Sequence, residues 1–171
     1  MPLSSTMTPI ATNTLTTATA SVTFSSIPQG YTDLRVILQV KNSVGDGYAT
    51  QLQYNSDTGS NYSWTGAAGY AGSSANSFRG SSVTVQKVGF TSVTSGSAWT
   101  PINIDILNYA NTTTNKTCLS RSNSVDSNSY VLMMVGLWRN TAAINSITLT
   151  SESSGTFASG STFTLYGIKA A

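Results

Sequence analysis

Between residues 33 and 41 the chain reads Asp-Leu-Arg-Val-Ile-Leu-Gln-Val-Lys, setting Leu34, Val36, Leu38 and Val40 against Arg35, Gln39 and Lys41, with Ile37 the single exception. A period of two fits a backbone whose successive side chains point to opposite faces, which is a strand with one face on a core. The same alternation returns at 100–109, where Ile102, Ile104 and Ile106 go in while Asn103 and Asp105 go out. Once two such strands exist, their apolar faces need a second layer.

Other runs supply it. Val22 and Phe24 alternate with Thr23 and Ser25 until Pro28-Gln-Gly-Tyr31 introduces turn chemistry. Val44-Gly-Asp-Gly-Tyr48 reads as a hairpin turn returning into a short strand at 49–54. Residues 82–91 carry Val83 and Val85 in one phase and Val88 and Phe90 in the other, which predicts a bulge near Gln86 and Lys87. A weaker strand surrounds Cys118 and Leu119 at 116–125, and the last two strands are placed at 144–150 and 161–169. Tyr130 to Trp138 is apolar on both faces, as expected of a central strand covered on two sides. Many short strands at this spacing predict an all-β, antiparallel β-sandwich. A jelly roll is the preferred architecture; an immunoglobulin-like sandwich is the alternative, although the chain has no Cys-Trp-Cys framework.

Two stretches resist this reading. Residues 1–19 are a Ser/Thr/Ala tract with apolar residues only at Leu3, Met7, Ile10 and Leu15. They are expected to form an extended N-terminal arm that orders against a neighbour, outside a sandwich domain of residues 20–171. Regularity is also lost between 55 and 81, where Gly, Ser and Asn surround Tyr62, Trp64 and Tyr70; a long loop of this kind is expected to carry contacts to a glycan or a protein partner.

The chemistry available is sparse. The chain has no histidine, so the commonest acid–base group is missing. Cys118 is alone, which removes an internal disulfide and a thiolate metal cage, and without a histidine base it reads as a small half-buried strand residue. Asp33, Asp46, Asp57, Asp105, Asp126 and Glu152 are the six carboxylates, and a glycosidase would need two of them to converge. Each has an ordinary place at a corner, turn or strand face. Asp46, Asp57 and Asp126 are too thinly spread for a calcium loop. The expectation is therefore a protein that is not an enzyme, with no catalytic residues, no metal and no cofactor.

Charged residues make up 8% of the chain and its formal charge is +2, with no Lys/Arg cluster, which argues against nucleic acid as a partner. No run has the basic start and apolar core of a secretion signal or the length of a membrane span, so synthesis in the cytoplasm and no membrane partner are expected.

Three segments carry a resemblance: Phe24-Ser-Ser-Ile-Pro-Gln-Gly-Tyr-Thr-Asp-Leu-Arg-Val36, Gly136-Leu-Trp-Arg-Asn-Thr-Ala-Ala-Ile-Asn-Ser-Ile-Thr-Leu149 and Phe163-Thr-Leu-Tyr-Gly-Ile168. Between about Ala20 and Lys169 the chain resembles small structural proteins of tailed-bacteriophage virions. The resemblance implies a β-sandwich, often trimeric, that sits in the virion as a capsid decoration or cement protein bound to the major capsid protein. The alternative it carries is a tail-fibre module that recognises a host-surface glycan. A free-standing domain with no shaft repeat favours decoration.

Overall fold

A computed structural model describes residues 6–44, 48–72, 75–91, 98–124 and 129–169. Its strands are β1 (Met7–Thr14), β2 (Ser21–Phe24), β3 (Asp33–Val40), β4 (Tyr48–Tyr54), β5 (Tyr62–Tyr70), β6 (Asn76–Val83), β7 (Gln86–Thr91), β8 (Thr100–Leu107), β9 (Lys116–Ser124), β10 (Tyr130–Trp138), β11 (Ile147–Ser151) and β12 (Thr162–Ile168). They divide into an eight-stranded sheet, ordered β1-β12-β3-β8-β9-β10-β5-β6, and a four-stranded sheet, ordered β2-β11-β4-β7. Every pairing is antiparallel. The fold is an all-β sandwich of two antiparallel sheets.

The alternation read from β3 and β8 builds the centre of this sandwich. Leu34, Val36, Leu38 and Val40 of β3 and Ile102, Ile104 and Ile106 of β8 are fully buried, against Leu52 and Tyr54 of β4 and Ile147 and Leu149 of β11. Each buried aliphatic side chain of this kind contributes about 1.5–3 kcal/mol relative to an exposed one. Where β7 crosses β9 and β10 the sheets come closer, because the inner faces there are small: Cys118, Ser120 and Ser122 on β9, Gly136 on β10 and Gly89 on β7. The Gln86 side chain fills the gap, lying over Gly136 and donating from Nε2 to Cys118 Sγ.

The arm expected over 1–19 is, from Met7 onward, an edge strand. β1 pairs along β12 from Met7 opposite Ile168 to Thr14 opposite Thr162, with a register shift between Pro9 and Ala11. Ile10 packs on the core and Leu15 is buried in it, its N–H donating to Ser161 O. A proline and a bulge on a free edge discourage another strand from adding there.

Over its described residues the irregular segment expected at 55–81 holds the paired strands β5 and β6, with a tight turn ahead of them. In that turn Asp57 accepts hydrogen bonds from Gly59 N–H, Asn61 Nδ2 and Trp138 Nε1. Burial pushes the Asp57 carboxyl up, and the bonds from Trp138, Asn61 and Gly59 more than offset it, holding the group below its ordinary value. Residues 82–91, expected as one bulged strand, belong to two: β6 ends at Val83 in the large sheet and β7 begins at Gln86 in the small one. The change of phase expected from a bulge near Gln86 and Lys87 is this break between strands; a bulge does occur within β7, at Val88 between the Thr50–Gly89 and Gln51–Lys87 pairs, and it buries both Val88 and Gly89. The turn expected at Val44–Tyr48 centres on residues 45–47, outside the described residues.

Candidate functional site

The side chains singled out from the sequence are dispersed. Leu3 lies outside the described residues. Met7 is half-buried at the start of β1, and Ile10 and Leu15 are committed to the protein's own core rather than held out for a neighbour. Tyr62 is fully buried, its hydroxyl accepting from Tyr54 N–H and its ring stacked on Trp138 at 6.3 Å. Burial pushes its phenol up to about 12. Trp64 is half-buried with its ring lying on Gly80 and Lys87 Nζ 5.6 Å from its centre, and Tyr70 packs against Tyr130 at 5.9 Å. Tyr62 belongs to the main core, and Trp64 and Tyr70 pack on a second cluster of Ala68, Tyr130, Leu132 and Met134, so the three rings form no open platform.

The carboxylates are equally structural. Asp33 Oδ1 accepts from Asn108 N–H, Asp105 pairs with Arg35 at 2.5 Å, and Glu152 holds Lys87 at 2.5 Å while accepting from Ala49 N–H. Asp46 and Asp126 lie outside the described residues. Among the described residues no three His, Cys, Asp or Glu side chains cluster as metal ligands. Cys118 is buried, and burial first of all pushes its thiol up to about 11, well above the free value. Native protein is therefore expected to react with a thiol reagent such as DTNB at neutral pH at least about a hundredfold more slowly than the same chain in denaturant. Fast labelling of the folded protein would show that this part of the core opens.

What the structure does bring together is the outward face of β10 and its neighbours. β10 alternates buried Tyr130, Leu132, Met134 and Trp138 with Val131, Met133 and Val135, which are 65%, 58% and 51% exposed. The strand expected to be covered on both sides is covered on one. Its neighbours continue the apolar surface with Leu119 on β9 and Leu107 on β8, so five of the six large exposed apolar side chains among the described residues share one face; Tyr48 is the sixth. The other half of that face is ordinary, with Gln39 on β3 and Thr162, Thr164 and Tyr166 on β12.

The registers place the patch in rows. Val135 stands opposite Leu119 and Leu119 opposite Asp105; Met133 stands opposite Arg121 and Arg121 opposite Asn103. A groove of about 630 Å³ runs over this surface, floored by Ala67, Gly69, Val131 and Met133 and edged by Arg121 and Asn123. A second, of about 490 Å³, begins at Leu119 and Leu107 and runs past Arg35 to Met7. The exposed Arg121 has no ion-pair partner among the described residues. An apolar floor, polar margins and the uncommitted Arg121 are the make-up of surfaces that meet other macromolecules.

Sequence reasoning named Leu119 within a weaker strand without giving it a face, and expected 130–138 to be covered on both sides. The signal was present in Val131, Met133 and Val135; what it lacked was any sign that the fold covers only one face of the strand. Compared with family models, with curated proteins and with solved structures, the chain shows no match.

Proposed function

We propose that this chain is a bacteriophage virion structural protein that decorates the outer capsid surface and reinforces the shell through contact with the major capsid protein. The observation that carries the reading is the apolar surface of Leu107, Leu119, Val131, Met133 and Val135 on an otherwise hydroxyl-rich sheet, because a contiguous patch of this kind marks an interaction site. It is supported by the structural commitment of every described carboxylate and of Cys118. The virion setting rests on the resemblance, whose three segments fall on the crossover from β2 to β3, the crossover from β10 to β11, and β12. Rigid sandwich geometry suits the role, since weak contacts at many symmetry-related positions multiply into firm attachment.

The tail-fibre alternative draws less support, because Tyr62 is buried and Trp64 and Tyr70 have ring faces taken by Gly80, Lys87 and Tyr130. The test is the copy number in purified virions, by quantitative mass spectrometry against the major capsid protein. Decoration predicts a ratio of the same order as the capsid protein. A ratio of a few per cent would move the protein to the tail and overturn the proposal.

A further inference from the structure

We propose that the outward patch on β8, β9 and β10 is a self-complementary contact, covered by the same patch of a second copy of this chain. This rests on the reading above only in taking the patch for a contact surface; it gives that surface to a second copy, so that attachment to the capsid falls to other faces of the protein.

Two arguments select a second copy. The first is size and make-up. An interface of standard size covers roughly 800 Å² on each partner, with an apolar core inside a polar rim. Here the core is the five exposed apolar side chains, and the rim sets the uncharged Thr65, Asn103, Thr117 and Asn123 beside charges of both signs, Arg121 and Asp105.

The second argument is charge placement. Around Leu119, Arg121 is the next outward residue along β9, while Asp105 is the cross-strand neighbour on β8. Adjacent strands lie about 4.8 Å apart and outward residues on one strand about 6.8 Å apart, so the cation and the anion are at comparable distances from Leu119 in perpendicular directions. A twofold axis in the plane of the contact, passing through Leu119 and between Arg121 and Asp105, brings each copy's Arg121 to the other's Asp105. The same operation lays Met133, diagonal to Leu119 on β10, over Leu107, diagonal to it on β8, and sets Leu119 against its own counterpart. An isologous contact requires this reciprocity. Asp105 retains Arg35 within its own chain, so the added guanidinium completes a three-membered charge cluster at the contact edge.

The experiment is sedimentation equilibrium of the full chain at roughly 1 to 100 µM, the range in which a contact of modest affinity populates. The expected mass is that of two copies, and Met133→Asp and Arg121→Glu are each expected to weaken association at least about tenfold. Thr164→Asp, on the polar half of the same face, should leave it unchanged. Should Met133→Asp alter the melting transition, Leu119→Asp tests the same contact by placing two carboxylates at the axis. A mass of one copy throughout, a mass above two copies, or a two-copy mass indifferent to these patch variants overturns the inference. None of those outcomes changes the virion ratio that tests decoration, and a tail-like ratio leaves the twofold contact to this measurement.

Discussion

Gly136→Ala is expected to destabilise the fold by about 3 kcal/mol, lowering the thermal midpoint by about 10 °C, and Gly136→Val to abolish folding. A Cβ at this position would stand 1.9 Å from Gln86 Nε2 and 2.0 Å from Gln86 Cδ. Something must move, and at an exposed site the end of a glutamine would move at little cost. Here Gln86 is 1% exposed and its amide donates to Cys118, so displacement leaves polar groups buried without their partner. The strain belongs to the pair, which makes it separable: adding Gln86→Ala to Gly136→Ala should cost less than the sum of the two single changes. Thermal melts of the four proteins measure this. A Gly136→Ala protein within about 1 kcal/mol of the parent would mean that β7 has room to retreat from β10.

The second large effect is expected at Trp138, fully buried with its ring 5.4 Å from Tyr54 and 6.3 Å from Tyr62. Trp138→Ala should cost about 3–5 kcal/mol through lost burial and the cavity left behind. Trp138→Phe separates the ring from its donor, because it keeps an aromatic body but removes the N–H that Asp57 Oδ2 accepts at 2.7 Å; about 1–2 kcal/mol is expected. The two variants also differ from the parent in acid. Asp57 is held below its ordinary value in the folded state, so the folded protein takes up its proton less readily than the unfolded chain. The stability this supplies is complete above the unfolded aspartate value and is lost as pH falls through the lower folded value. Denaturant titrations at neutral pH and near pH 3 should therefore show the gap between parent and Trp138→Phe narrowing in acid. A gap that stays constant would mean that the indole supports the fold without stabilising the charged carboxylate.

How far these features can be read from the chain depends on contrast between the two faces of a strand. β3 and β8 are legible because aliphatic residues face in and Arg35, Gln39, Asn103 and Asp105 face out. β5 is not, because its inward Tyr62, Trp64, Gly66, Ala68 and Tyr70 alternate with Ser63, Thr65, Ala67 and Gly69, and small residues on both faces blur the period. The signal lay in Tyr62, Trp64 and Tyr70 sharing one phase. β1 is hidden for a different reason: an edge strand of Thr, Ala and Asn covers little core and resembles a tail until its partner β12 is known. β10 shows the limit of periodicity itself. Two apolar faces announce two covering layers, and only the fold reveals that the described residues supply one of them. The candidate surface was thus visible as apolar residues and invisible as a surface.

The pairing of Met7 with Ile168 puts the two ends of the described β1–β12 ladder side by side. Tension entering through both ends meets that ladder as a zipper rather than as a shear joint. It parts the Met7–Ile168 rung, then Thr8–Gly167, one rung after another, so the peak force is that of a single rung instead of the whole strand. β1 would peel first, while β8, β9 and β10 lie inward of β12 and β3 and keep their shape. Under such a load the sandwich gives way first at its β1–β12 edge and lengthens there, while the strands that carry the outward patch stay paired.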